Sequence, residues 1–197
     1  TTIAGSDDGS VRLSDAVTGQ TLRLLTGHRT RPNDMSVLRD SKMVLTGSED
    51  GTVRLWDVTT GQNIQTFASP NLDPLHSAAF SGDGKRLLTN SQNQVIRLWD
   101  VKTGAVVQTF GGDRRTVYNI ALSPDGDMVL TAEGIYYGPK DQSTDPNNPN
   151  GVARLWDAKT GEVIQTFVSP GADVTRAAFS PDGKLVLTGS EDHIERL

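Results

Sequence analysis

The phrase Arg-Leu-Trp-Asp occurs three times, at residues 54–57, 97–100 and 154–157, and a worn copy, Arg12-Leu13-Ser14-Asp15, stands upstream. The aspartates that close these four copies lie 42, 43 and 57 residues apart. A chain that repeats at about 40–45 residues is a row of similar units, because one such unit cannot bury its apolar face alone. The final pair, Arg196-Leu197, begins the phrase again 42 residues after Arg154.

Each unit follows one grammar. A short apolar run such as Ala177-Ala178-Phe179 leads into Ser180-Pro181-Asp182-Gly183, where Pro presets φ and Gly takes a positive φ, so the chain reverses tightly. A β-rich run follows, Lys184-Leu185-Val186-Leu187-Thr188 in that copy. After a Gly-Ser-Glu-Asp turn comes an alternating run, Thr52-Val53-Arg54-Leu55-Trp56, of a kind that half buries each face of a strand. Asp57-Val58-Thr59-Thr60-Gly61-Gln62 then turns the chain into a fourth run, Asn63-Ile64-Gln65-Thr66-Phe67. Four short strands joined by hairpin turns and then repeated form the blades of a propeller. The 20 glycines and 9 prolines match that density of turns.

With its three Trp-Asp dipeptides and its Ser-Pro-Asp-Gly turns in register, the chain resembles the WD-repeat β-propeller family along essentially all its length, and the Asp-x-x-Thr-Gly turns resemble those of bacterial WD arrays. The fold expected is all-β, a β-propeller of four-stranded antiparallel blades. Superposing the copies gives three complete blades at about 33–67, 76–110 and 117–167. Residues 1–25 supply the last three strands of a partial blade, and 174–197 supply three strands at most. Propellers of this family usually close with seven blades, so the resemblance implies part of a larger ring. The alternative is a five-bladed ring in which the first and last partial blades share a sheet.

His28, Thr46, Asp50 and Trp56 have the residue types of a His–Asp–hydroxyl catalytic set. The resemblance implies a different role, a structural chain in which the His of the Gly-His loop meets the Asp and the Thr accepts the indole N–H. Unpaired buried donors and acceptors cost about 1–3 kcal/mol each, so such a chain selects one blade geometry. Other copies are incomplete: Thr89 and Trp99 are kept, but Asn93 replaces the Asp and Asn71 stands near the His position, while the last copy keeps Thr188 and Asp192 with Pro170 in place of the His. The register where first strands begin holds Asn33, His76, Tyr118 and Thr175, which contain no acid–base pair. The chain is expected not to be an enzyme.

One blade departs from the repeat. Thr46 and Arg54 are 8 positions apart, but Thr131 and Arg154 are 23 apart, so an insertion lies within 133–150, between second and third strands. Long loops in compact domains are usually functional or disordered. Tyr136 and Tyr137 are of the type that anchors interfaces; a tolerated surface loop is the competing reading. Its Asp141, Asp145, Asn147, Asn148 and Asn150 lack the offsets and the closing Glu of an EF-hand, so no metal or other cofactor is expected.

Arg29, Arg31, Arg114 and Arg115 lie in fourth-to-first-strand loops, and His76 and Arg176 lie near the starts of first strands. The resemblance places all of these on the rim that carries the insertion, where a positive field can steer an acidic or phosphorylated peptide. Ordinary solvated loop charge is the plainer alternative. The net charge of −5 gives no general attraction for nucleic acid, no apolar run reaches membrane-spanning length, and no Gly-rich loop with a following Lys supports nucleotide binding. The absence of cysteine excludes a disulfide framework and fits a reducing, cytoplasmic setting. The function expected is a protein-interaction scaffold with rim loops that contact protein or peptide partners. The alternative is a sensor or autoinhibitory domain of a larger effector, such as a protease, kinase or nucleotide-hydrolysing switch.

Overall fold

The computed structural model describes residues 2–37, 42–111, 115–135, 151–169 and 172–197. They form eighteen β-strands in five antiparallel sheets and no helix. The first sheet has three strands, β1 (Thr2–Gly5), β2 (Val11–Ser14) and β3 (Thr21–Leu25), in chain order. Three four-stranded sheets follow, each with its strands in chain order. These are β4 (Pro32–Val37), β5 (Met43–Ser48), β6 (Thr52–Asp57) and β7 (Asn63–Ala68); then β8 (Leu75–Phe80), β9 (Arg86–Ser91), β10 (Ile96–Asp100) and β11 (Val106–Phe110); then β12 (Arg115–Leu122), β13 (Met128–Ile135), β14 (Gly151–Asp157) and β15 (Val163–Ser169). The last sheet again has three strands, β16 (Val174–Phe179), β17 (Val186–Ser190) and β18 (Glu195–Arg196). The first and last sheets have three strands each.

The turns follow from their residues. In the Asp-x-x-Thr-Gly connections the aspartate carboxylate accepts the Thr backbone N–H, at 2.7 Å for Asp57 with Thr60 and for Asp157 with Thr160. Those bonds hold the carboxyls of Asp57 and Asp157 below their usual range. Between first and second strands, Ser81 Oγ donates to Asp83 Oδ1 at 2.7 Å and Ser123 Oγ donates to Asp125. The Asp83 carboxyl is lowered to about 2, chiefly because it accepts the Lys85 backbone N–H.

Two compact units make up the chain. One contains residues up to Ala78 with Thr89–Asn93 and Val101–Gly104; the other contains Ala79–Leu88, Gln94–Asp100 and Ala105–Leu197. The core of the first joins Val11, Leu13 and Leu25 to Val44 and Trp56, with Ile3, Met35 and Val58 against them. Within the second, one cluster joins Leu88, Ile96, Leu98 and Phe110 to Val117, Ile120, Val129 and Trp156, and another joins Leu130, Ala132 and Ala153 to Val174 and Ala177. The Phe110 and Trp156 rings meet edge to face at 6.0 Å, so the outermost strand of one sheet packs on the tryptophan of the next.

Irregularities recur with the repeat. The third and fourth strands shift register at the Trp position, between Leu55 and Trp56 and again between Leu155 and Trp156. First and second strands shift between Pro32 and Asp34, Val117 and Asn119, and Val174 and Arg176. A bulge re-aims side chains, and here successive residues both reach the neighbouring sheet. Asn33 Nδ2 donates to Leu75 O at 2.9 Å, and Asp34 Oδ2 accepts the Ala78 N–H at 2.5 Å. In the other unit Tyr118 Oη donates to Asp173 Oδ2 at 2.9 Å, and Asn119 Oδ1 accepts the Ala177 N–H at 3.1 Å. Of the residues in the register where first strands begin, Asn33 and Tyr118 are therefore committed to joining sheets.

Candidate functional site

In the sheet β4–β7, β5 presents Thr46 and β6 presents Trp56 on the same buried layer, and the loop before β4 lays His28 over them. The indole Nε1–H of Trp56 donates to Thr46 Oγ1 at 2.8 Å. His28 Nε2 is 2.7 Å from the same oxygen, and Nδ1 is 3.0 Å from Asp50 Oδ2. Thr52 Oγ1 donates to Asp50 Oδ1 at 2.6 Å, and the Arg29 backbone N–H donates to Asp50 Oδ2 at 2.9 Å. Gly27 has a φ of 153°, which residues with side chains rarely adopt, and a Cβ on it would also crowd Arg54 Nη1 at 2.4 Å.

The donor inventory fixes the protonation. Ionised Asp50 only accepts, so Nδ1 of His28 carries the proton; in a neutral ring Nε2 then accepts, and the Thr46 hydroxyl donates to it. Burial pushes the His28 pKa below its ordinary 6.5, against the opposing pull of Asp50, so the ring is neutral near pH 7. Burial pushes the Asp50 carboxyl up, but bonds from Thr52, Arg29 and His28 outweigh it and leave its pKa below the usual 3.8. His28 is 6% exposed and Thr46 is fully buried. The four side chains are thus joined in one clamp, a chain of hydrogen bonds that runs from the Trp56 indole through Thr46 and His28 to Asp50.

The sheet β12–β15 makes its clamp differently. Trp156 Nε1–H donates to Thr131 Oγ1 at 3.0 Å, but the Thr131 hydroxyl donates to Glu133 Oε1 at 2.5 Å, and Arg154 Nη1 donates to Glu133 Oε2 at 2.8 Å. Glu133 is 2% exposed. A carboxylate two residues along β13 thus takes the accepting role that His28 has in the sheet β4–β7. A signal was present in the sequence, an acidic residue at the end of the β-rich run Met128-Val129-Leu130-Thr131-Ala132-Glu133; in the structure Arg154 pairs opposite Thr131.

Elsewhere the clamp is partial. Asn93 Nδ2 donates to Asp73 Oδ2 at 2.7 Å and Asn93 Oδ1 accepts from Ser91 Oγ at 2.7 Å, so Asn93 is tied to the loop before β8. In the last sheet Asp192 pairs with Arg196 at 3.2 Å. Thr89, Trp99 and Thr188 are buried.

The residues expected at the rim fall into two groups. In the first unit Arg29, Arg31 and His76 are exposed; Arg31 Nε lies 3.7 Å from Asp7 Oδ1, an exposed pair of small energetic weight. In the second unit Arg115 is half-buried at the start of β12, and Arg176 is exposed with Nη1 donating to Thr175 O at 2.9 Å. Tyr136, Tyr137, Arg114 and the acidic and amide residues at 141–150 lie outside the described residues.

The roots of the insertion are described, and sequence reasoning missed how tightly they are held. A Cβ on Gly134 would come within 2.2 Å of the Asp173 carboxyl, and one on Gly151 would come within 2.1 Å of Ala172 O. Both glycines press against the segment that leads into β16, and Asp173 is in turn held by Tyr118. Among the described residues no group of three His, Cys, Asp or Glu side chains is placed to hold a metal, and no helix is long and apolar enough to cross a membrane.

Comparison with known proteins agrees with this geometry. The family model "WD domain, G-beta repeat" matches residues 19–57, 61–100, 104–157 and 161–194. Among curated proteins, the angio-associated migratory cell proteins of Homo sapiens, Pongo abelii and Canis lupus familiaris are each 41% identical over 44 residues, which is 22% of this chain and 10% of the relative. The chain therefore matches only about a tenth of the length of these relatives. Proteins of this family are generally interaction scaffolds, and their WD domains are typically non-catalytic. Four matched repeats, repeating turns and a Trp-centred clamp lead to one assignment: the chain belongs to the WD-repeat family.

Proposed function

We propose that this chain is a rigid interaction module whose fourth-to-first-strand and second-to-third-strand loops contact protein or peptide partners, with a preference for acidic ones. The observation that carries the reading is the division of labour among its polar groups. The side chains that look chemical, His28, Asp50 and Thr46 with Glu133 and Arg154, are consumed in bonds to one another inside the sheets. Arg29, Arg31, His76 and Arg176 instead stand exposed at loops and strand starts. Rigid strands that carry variable loops suit recognition, because little order is lost when a partner binds. The insertion at 133–150 adds Tyr136 and Tyr137, residues of a type that anchors interfaces, to the candidate contacts.

The test is affinity capture with the full-length protein, repeated with Tyr136, Tyr137, Arg114 and Arg115 changed to Ala, and separately with Arg29 and Arg31 changed to Ala. The reading expects partners to be lost from at least one variant while its melting temperature stays within a degree or two of the wild type. Identical partner sets in all three would remove the rim from the account.

A further inference from the structure

The Arg-Leu-Trp-Asp phrase sets the same arginine in two different electrostatic surroundings. Arg54 and Arg154 stand opposite Thr46 and Thr131 on their second strands, and each guanidinium lies 5.8 Å from the centre of the indole two residues on. Two positions beyond those threonines the sheets part company. Glu133 accepts from Arg154 Nη1 at 2.8 Å. The matching residue in the sheet β4–β7 is Ser48, which is fully buried and donates to Thr30 O at 3.0 Å. The contact with the indole is common to both arginines, so it does not replace the carboxylate that only one of them has.

Arg54 has no counter-charge among the described residues. Its Nε is shut off from solvent without a hydrogen-bond partner, and its Nη atoms, which solvent reaches, have no protein partner either. The described carboxylates of the same sheet are engaged elsewhere or stand apart. Asp34 accepts from Ala78, Asp57 from Thr60, and Asp50 from Thr52, Arg29 and His28, while Glu49 is exposed and forms no ion pair. Gly27 lies against the group, close enough that a Cβ on it would come within 2.4 Å of Nη1. Directly opposed residues share a face of a sheet; Thr46 on one side of Arg54 is fully buried and Thr66 on the other is exposed, so the arginine opens to solvent toward β7. A partly desolvated cation attracts an anion more strongly than one in bulk water, and a guanidinium offers a carboxylate donors in matching geometry.

We propose that Arg54, with the bare backbone of Gly27 against it, is a binding site for a small carboxylate, which takes from outside the place that Glu133 fills beside Arg154. The site goes beyond the interaction-module reading. It lies on the Trp56 face of a sheet, draws nothing from Arg29 or Arg31, and takes a free ligand in place of a protein segment.

The probe is acetate, titrated against chloride at fixed ionic strength into the isotopically labelled chain, with acetamide as the uncharged control. Saturable shifts are expected at the Arg54 Nε–H, the Trp56 indole N–H and the Gly27 amide. The Arg154 Nε–H and Trp156 indole N–H should stay in place, because their carboxylate is already present, and acetamide should move none of these signals. Arg54→Met should weaken acetate by about tenfold or more, the effect of losing one charged hydrogen bond. Ser48→Glu sets a carboxylate in the register of Glu133 and should silence the acetate response at Trp56. Should either variant fail to fold, the comparison of the two indoles in the wild type decides alone. No saturable response at Trp56, equal responses at Trp56 and Trp156, an acetamide response equal to that of acetate, or binding that survives Arg54→Met would each overturn the proposal.

Discussion

Arg154 and Glu133 meet at 2.8 Å inside the sheet β12–β15, and their pair supports the Trp156–Thr131 bond that a histidine supports in the sheet β4–β7. Two sheets of one chain thus reach the same end, an anchored indole, with different chemistry. In one, a neutral His carries the chain of bonds out to a carboxylate. In the other, the carboxylate comes to the threonine directly and its charge is matched by the arginine of the Arg-Leu-Trp-Asp phrase.

Removing one member of a buried pair leaves the other charge poorly compensated and costs about 3–5 kcal/mol, whereas replacing both by apolar groups of similar volume costs far less. Arg154 and Glu133 have side chains 16% and 2% exposed, so the rule applies. Glu133→Ala should therefore lower stability in urea denaturation by about 3 kcal/mol, and Glu133→Met with Arg154→Met should recover most of the loss. Equal losses in the single and double variants would show that the loss comes from the pair's own attraction and not from an arginine left uncompensated.

His28 makes the stability of its unit depend on pH. Its folded pKa lies below the ordinary 6.5, so the unfolded chain takes up a proton first as the solution is acidified. The stabilisation is fully present above about pH 6.5 and is lost as pH falls through the lower folded value. Asp50, also depressed, adds a loss only below about 3.8. Melting temperatures measured from pH 8 to 5 should decline in the wild type, and the part of that decline due to His28 should vanish in His28→Gln.

Asp34 and Asn119 do the same job in different units, each accepting a backbone N–H of the next first strand. Burial pushes the Asp34 carboxyl above its usual 3.8, so above that pH its charge costs stability, a cost that disappears on acidification. Asp34→Asn keeps an accepting oxygen without the charge. It is expected to match or exceed the wild-type melting temperature at pH 7, with the gap narrowing toward pH 4.

Glycines with the same backbone sign differ in what surrounds them. Gly19 and Gly51 have φ of 70° and 80°, but a Cβ on Gly19 meets nothing within 4 Å while one on Gly51 meets Leu72 at 2.4 Å. Gly19→Ala should cost about 1 kcal/mol of backbone strain, and Gly51→Ala should add roughly 1–3 kcal/mol of overpacking. Thermal melts that rank the two alike would contradict the close approach.

Strands and turns were legible because each rests on a local pattern: alternation in Thr52–Asp57, Pro-Asp-Gly at 181–183, the spaced Trp-Asp pairs. The sheet-to-sheet joints were not. Asn33 and Asp34 both reach the next sheet only because a bulge aligns neighbours that alternation would set apart, and nothing in the run Pro32-Asn33-Asp34-Met35 marks it. Glu133 escaped because its role depends on Arg154, which lies 21 positions away across the insertion. The left-handed φ of Leu72, 54°, escaped for a similar reason, since its loop is fixed by Gly51 in one turn and by Gln92 and Asn93 in another.

The central claim is that the buried clamp serves the fold and the exposed rim serves binding. Its most direct measurement compares partner capture by His28→Ala and by Arg29→Ala with Arg31→Ala, both at a temperature well below either melting transition. The account predicts a His28 variant that is destabilised by about 1–3 kcal/mol yet retains its partners, and a rim variant of unchanged stability that loses them. A folded His28 variant that loses its partners, beside a rim variant that keeps them, would contradict it.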